Sequence, residues 1–220
     1  MKLSQTDKES KTVSKILCES GSIIFTSRIP FRFSSGLLSP IYVDNRKLIS
    51  LPHERKKVIN IYIRLIKKLG KIDLIAGTAT AGIPYAAFIA QSLNLPMVYV
   101  RGEAKKHGRK NQVEGIVRKG QRVVIIEDTV STGKSSVVSI KALRSMGAKV
   151  DYVLAIYTHG LKEAEKNFKK EKVELYTITN LENVLEFAKN GGYLKSENQI
   201  SSIRNWASSP KGWGKRMGFK

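Results

Sequence analysis

Val123-Val-Ile-Ile-Glu-Asp-Thr-Val-Ser-Thr-Gly-Lys-Ser135 is the stretch whose reading decides the fold. Its four β-branched residues, Val123 to Ile126, lie between Gly120 and a polar run, the pattern of a short strand buried on both faces. Two adjacent carboxylates follow, Glu127 and Asp128. Thr129, Val130, Ser131 and Thr132 then make a small, hydroxyl-rich turn closed by Gly133. A helix is expected from Lys134 and Ser135 onward, with Val137, Val138, Ile140, Ala142 and Leu143 on its apolar side. A strand that passes through such a turn into a helix start is suited to hold a phosphate. Backbone N–H groups and the positive end of the helix dipole point into the turn, and the hydroxyls add donors.

A nucleotide-binding P-loop is the rival, because Gly133-Lys134-Ser135 matches its end. The full pattern needs a glycine five residues earlier, where this chain has Asp128. An acidic pair would also repel a triphosphate. Two carboxylates make sense beside a diol: they accept hydrogen bonds from vicinal hydroxyls and hold Mg²⁺ through water. A ligand with a ribose diol and a terminal phosphate satisfies both halves of the turn, whereas a plain strand end with a polar turn leaves the string unexplained.

The 220 residues carry 41% apolar side chains, enough for one core. The single cysteine, Cys18, rules out an internal disulfide and suits a reducing, cytoplasmic setting. It stands among Val13, Ile16 and Leu17 at helical spacing, so a packed thiol is expected. No apolar run approaches the roughly 20 residues of a membrane span, and Met1 to Glu9 is too polar and acidic for a signal peptide. The net charge of +21, from 39 basic and 18 acidic residues, permits nucleic-acid binding and equally suits an enzyme of polyanions. Lys166, Lys169, Lys170 and Lys172 are read as solvated surface lysines, so a nucleic-acid partner is not expected.

Along the chain, residues 4–19 read as an amphipathic helix and Ile23 to Phe25 as a strand. Phe31 to Arg46 reads as two short strands joined by a turn, its aromatics alternating with polar residues; one face could wall a ligand or simply bury Phe31 and Phe33. Pro52 opens a helix that ends at Gly70, with Val58, Ile61, Tyr62, Leu65 and Leu69 on one face. Asp73 to Ala76 is a strand, Gly77 to Pro84 a second small-residue turn, Tyr85 to Leu93 a helix, and Leu95 to Val100 a strand. Residues 101–120 show no periodicity. Their length, their cations Arg101, Lys105, Lys106, Arg109 and Lys110, and His107 suggest a lid or binding arm that closes over a leaving polyanion, against the plainer alternative of a solvated basic loop. Further strands are expected at Val150 to Tyr157 and Val173 to Ile178, helices at Leu161 to Lys170 and Leu181 to Ala188, then a helix and an extension anchored by Trp206 and Trp213. Strands alternating with helices imply an α/β fold with a parallel-sheet core and helices on both faces. Ligands then bind at the carboxyl ends of strands, where both small-residue turns lie.

The Val123 to Ser135 string resembles the phosphoribosyl-pyrophosphate (PRPP) motif of the type I phosphoribosyltransferases. Three further segments are similar to the orotate phosphoribosyltransferases: Phe33 to Asp44, matching a Ser-Gly-x-x-Ser-Pro-x-Tyr hairpin; Gly77 to Pro84, the loop on the diphosphate side; and Arg101 to Gly108, matching a lid. The resemblance runs from about Ile24 to Tyr157, with a compatible Trp-Gly tail. It implies one phosphoribosyltransferase domain, with a hood from about 1–50, a PRPP-binding core from about 70–180 and a C-terminal extension from about 195–220.

By that resemblance, Glu127 and Asp128 take the ribose diol, Asp128 also reaching Mg²⁺ indirectly through water and PRPP. Thr129, Val130, Ser131, Thr132, Gly133, Lys134 and Ser135 wrap the 5′-phosphate, and Ser34, Thr80 and Ala81 add PRPP contacts. Arg101, Lys105 and His107 bind the diphosphate and act in catalysis, reaching in from the partner subunit of a homodimer. Ser131, Tyr42 and Val43 meet orotate. The chain departs from the pattern at Ser34 and Gly102, where lysines are common. It also has no arginine near Tyr157 to Gly160, where many members hold the orotate carboxylate; His159 or backbone donors stand there instead. The reaction implied is Mg²⁺-dependent transfer of ribose 5-phosphate from PRPP to orotate. A purine phosphoribosyltransferase shares the PRPP turn but not the hairpin. A PRPP-sensing, nucleic-acid-binding regulator would not need the lid cations.

Overall fold

The structure is a computed structural model that describes residues 6–26, 28–32, 36–102 and 112–219. Thr6 accepts from the Glu9 N–H while the Glu9 carboxylate accepts from the Thr6 N–H, and this reciprocal cap starts α1 (Asp7–Glu19). Four short strands follow: β1 (Ile23–Phe25), β2 (Phe31–Arg32), β3 (Leu38–Ser39) and β4 (Ile41–Val43). A 3₁₀ helix (Asn45–Ser50) leads into α2 (Pro52–Lys68), where proline at the first position loses no hydrogen bond. Then come β5 (Leu74–Thr78), α3 (Gly82–Leu93), β6 (Met97–Val100), β7 (Val113–Glu114), β8 (Arg122–Ile126), β9 (Thr129–Val130) and α4 (Lys134–Ser145). The chain ends with β10 (Lys149–Thr158), α5 (Lys162–Glu171), β11 (Glu174–Asn180), α6 (Leu181–Asn190), α7 (Glu197–Ser208) and α8 (Trp213–Arg216).

The main sheet has the order β11-β10-β8-β5-β6-β7, with β9 also paired to β10. The strand read first from the sequence, β8, is therefore central, flanked by β10 and β5 in parallel. Val123 to Ile126 are at most 1% exposed because alternate side chains serve two cores. Val124 and Ile126 pack with Ile75, Leu154, Ile156 and residues of α1, α2, α3 and α6. Val123 and Ile125 pack with Ile140 and Leu143 of α4 and with Ala164 and Phe168 of α5. Each such side chain contributes roughly 1.5–3 kcal/mol of burial, so a polar residue anywhere in β8 would cost a large share of the fold's stability. Among the described residues no helix is long and apolar enough to cross a membrane.

Several local expectations are corrected. The sheet is parallel except at its edge: β7, inside the stretch read as unstructured, pairs antiparallel with β6, Tyr99 opposite Glu114 and Val100 opposite Val113. Helix α3 starts at Gly82, three residues before the expected Tyr85, because Pro84 falls in the first turn, where its missing N–H costs nothing. The α4 face also differs. Ile140, Ala142 and Leu143 are buried as expected, but Val137 and Val138 are only half-buried, and Ser136 and Ser139 are buried in addition. The cause is polar: Ser136 donates to Glu127, and the Ser139 and Thr78 hydroxyls lie 3.0 Å apart. The hairpin expectation holds for β2 and β3, while β4 turns back to pair with β1. Cys18 is buried and its thiol is pushed up to about 12 by desolvation, as a packed residue. Lys166, Lys169, Lys170 and Lys172 are exposed.

Candidate active site

The site lies beyond the carboxyl ends of β5, β8 and β10, where two helices begin without side-chain caps. Neither α3 nor α4 has an acidic residue in its first turn, so their N-terminal amides are left for an anion. Two glycines make this close construction possible. A Cβ at Gly82 would come 2.4 Å from the Ile126 carbonyl oxygen, so only glycine lets α3 start against the end of β8. Gly133 caps α4 at φ +75°, and a Cβ there would meet the Phe168 ring at 2.9 Å. The Thr132 carbonyl accepts from Asn167 Nδ2 at 2.9 Å, so α5 braces the turn from behind.

The acidic pair divides. Glu127 is 4% exposed and its Oε1 accepts from Ser136 at 2.8 Å and Ser135 at 3.3 Å, which turns it toward the start of α4. Burial, opposed by the Ser136 hydroxyl and reinforced by the Asp128 charge, pushes its carboxyl up to about 7. Asp128 is half-buried, and burial raises its pKa too, with Arg46 acting the other way. Of the two, Asp128 is the more exposed carboxylate.

Buried side chains that the sequence reading did not single out hold this turn. Asn45 is fully buried, and its Nδ2 donates to the Asp128 carbonyl at 3.1 Å and to Thr129 Oγ1 at 2.8 Å. Tyr85 donates to the Asn45 carbonyl at 2.5 Å, and Tyr62 to the Glu127 carbonyl at 2.7 Å. Arg46 is paired bidentately with Asp44, at 2.6 and 2.9 Å. The polar run Asp44-Asn45-Arg46 directly after the hairpin was the available signal. In the sequence Tyr62 shows only as part of an apolar helix face.

A cleft of about 900 Å³ opens over the turn. Thr129, Ser131, Thr132 and Lys134 of the turn line it, and Lys134 pairs with Glu163 at 3.2 Å. Tyr42 and Val43 of β4, with Gly36 and Leu37, line the same cleft, as do His159 and Pro210, Lys211 and Gly212 near the C-terminus. The predicted base-end residues Tyr42, Val43 and Ser131 thus share one cleft. Thr80, exposed, and Ala81, half-buried, stand in the turn before α3. Arg101 sits at the foot of the predicted lid, its N–H donating to the Gln112 carbonyl at 2.9 Å and its guanidinium 3.9 Å from Glu114. Ser34, Lys105 and His107 lie outside the described residues.

Residues 49–188 match the phosphoribosyl transferase domain family. The orotate phosphoribosyltransferase of Staphylococcus saprophyticus is 43% identical over 197 residues, spanning 89% of this chain and 97% of that protein. That of Coxiella burnetii is 41% identical, spanning 91% and 96%. The crystal structure of orotate phosphoribosyltransferase from Aeropyrum pernix superposes with a TM-score of 0.71 at 32% identity, over 83% of this chain and 99% of that one. The chain belongs to the orotate phosphoribosyltransferases.

Within an orotate phosphoribosyltransferase cleft, His159 supplies no positive charge. It is 4% exposed, its Nδ1 is 3.2 Å from the Tyr157 hydroxyl, and the rings of Tyr157 and Trp206 meet it edge-on at 5.0 and 5.1 Å. Burial alone lowers its pKa to about 4. The folded value lies below the ordinary 6.5, so the stability that goes with the neutral ring is complete above pH 6.5 and is lost as pH falls toward 4. The loss is on the order of 3 kcal/mol, each tenfold gap in proton affinity being worth about 1.4 kcal/mol. Glu127 has the opposite sign, its contribution lost as pH rises through about 7, but it is common to wild type and to a His159 variant. The destabilisation caused by His159→Gln should therefore shrink by roughly 3 kcal/mol between pH 7 and pH 4 in urea titrations. A difference independent of pH would show that the imidazole is not held neutral.

Proposed function

We propose that this chain transfers ribose 5-phosphate from PRPP to N1 of orotate, giving orotidine 5′-monophosphate and pyrophosphate, a step of pyrimidine biosynthesis. The observation that carries this is the single cleft joining the phosphate turn, Thr129 to Lys134, to the hood residues Tyr42 and Val43. In this reading the uncapped start of α4 and the hydroxyls of Thr129, Ser131 and Thr132 take the 5′-phosphate. Asp128 accepts from the ribose hydroxyls, and Glu127, through Ser135 and Ser136, fixes where α4 begins. Tyr42 and Val43 bound the pyrimidine, and Ser131 meets it.

Among the described residues no group of three or more His, Cys, Asp or Glu side chains could by itself hold a metal. One half-buried carboxylate, Asp128, beside a diphosphate-bearing substrate fits Mg²⁺, which binds through a carboxylate, water and substrate phosphates. When bound, Mg²⁺ would neutralise charge on the departing pyrophosphate. The bond to pyrophosphate breaks before the new bond is well formed, so C1 gains oxocarbenium character and the protein's work is electrostatic. Arg101, Lys105 and His107 stabilise the leaving pyrophosphate, and His107 or Lys105 delivers a proton to it. Their closure keeps water from C1. We place these lid groups in the partner subunit's site, which makes the active form a homodimer.

The test is loss of orotate absorbance on adding PRPP and Mg²⁺, with adenine, hypoxanthine and uracil as controls. Turnover of orotate alone among the four is expected. Turnover of a purine base instead would overturn the reading, as would no turnover together with tight, salt-sensitive RNA binding.

A further inference from the structure

The C-terminal extension is built into the cleft. Trp206 is fully buried and its Nε1 donates to the Leu38 carbonyl of the hood hairpin at 2.9 Å. The start of α8 presses on the same residue: a Cβ at Gly214 would meet Leu38 Cδ1 at 2.5 Å. Between these anchors the chain makes a turn that the Arg216 guanidinium holds, donating to the carbonyls of Lys211 at 3.1 Å and Ser209 at 2.5 Å. Pro210, Lys211 and Gly212 of that turn line the same cleft as Tyr42 and Val43.

Orotate differs from uracil by a carboxylate, and a cation lining the cleft is a direct way to select it. Three cations line the cleft among the described residues: Arg32, Lys134 and Lys211. Lys134 lies at the phosphate end and is paired with Glu163, and the His159 ring is neutral. We propose that Lys211, presented by the Arg216-held turn, binds the carboxylate of the pyrimidine substrate and so determines the preference for orotate over uracil. This rests on the function proposed above. Lys211 is exposed and on a braced turn, so its charge reaches the cleft without the desolvation cost of a buried ammonium. Arg32, on β2, is the competing cation.

The experiment compares binding of orotidine 5′-monophosphate and of UMP, which lacks the carboxylate, by calorimetry. The proteins are wild type, Lys211→Gln, Lys211→Arg and Arg32→Gln. Lys211→Gln should weaken orotidine 5′-monophosphate binding 10- to 100-fold, leave UMP binding unchanged, raise the KM for orotate and spare the KM for PRPP. Lys211→Arg should restore most of the discrimination. Three results would overturn the proposal: equal losses for both nucleotides, which would make the turn a structural wall; no change in either; or discrimination that collapses in Arg32→Gln and survives in Lys211→Gln. Wild-type turnover of orotate with PRPP is measured first, so failure of the reaction itself is told apart from failure of the Lys211 assignment.

Discussion

Asp128→Asn should lower kcat/KM for PRPP by roughly 100-fold, the value of one or two lost charge-assisted hydrogen bonds, while the protein stays folded. The side chain is half-buried at the end of β8, and what ties the turn together is the Asp128 backbone. Its carbonyl accepts from Asn45 Nδ2 and from the N–H groups of Ile156 and Tyr157, at 3.1 to 3.2 Å. Asparagine keeps all three. Glu127→Gln should behave differently. With its carboxyl pushed up to about 7, the residue is protonated in a large share of molecules at neutral pH, and glutamine resembles that form. It still accepts from Ser136, so PRPP kinetics should change less than tenfold, far less than for Asp128→Asn. Steady-state kinetics with urea titration of each variant checks both. Unchanged PRPP kinetics in a folded Asp128→Asn, Glu127→Gln double variant would remove the acidic pair from the substrate site.

The division within that pair marks the limit of what the sequence makes legible. Val123 to Ser135 announces strand, turn and helix because each part has its own local signature: β-branched residues, hydroxyls, then Gly133 before an apolar period. Which carboxylate faces solvent is set by contacts across the turn, the Ser136 hydroxyl nine positions on in the first turn of α4 and the approach of α3 at Gly82. The edge strand β7 escapes detection for a different reason. Two residues cannot show a period, and Val113 and Glu114 are extended only because β6 offers them partners. Asn45 looks like ordinary loop polarity until the fold brings it to Asp128 and Thr129, 83 and 84 positions away in sequence. Lys211 lies farther still from Tyr42 along the chain. The tryptophans suggested an anchored tail, and packing on Leu38 is what turns that tail into a cleft wall.

Two inactive variants should restore activity to each other when mixed. Lys105→Ala spoils the proposed lid and Asp128→Asn spoils the ribose site, so each homodimer should be nearly inactive. The foot of the lid is defined: Val100 pairs with Val113, the Arg101 N–H donates to the Gln112 carbonyl, and the Ala79 N–H donates to the Val100 carbonyl, which sets the foot beside the turn that carries Thr80 and Ala81. It stands on β6 and β7, at the edge of the sheet. A two-fold dimer contains two equivalent, reciprocal sites. If lids are exchanged, a mixed dimer has one site with an intact lid over an intact ribose pocket, and one site with both defects. If each lid serves its own subunit, every site in the mixed dimer keeps one defect. Random mixing makes about half of all dimers mixed, so roughly one quarter of wild-type activity should return. Subunit exchange is verified separately with tagged chains. With exchange verified, no recovery would place Lys105 over its own subunit's Asp128 and reject the reciprocal dimer.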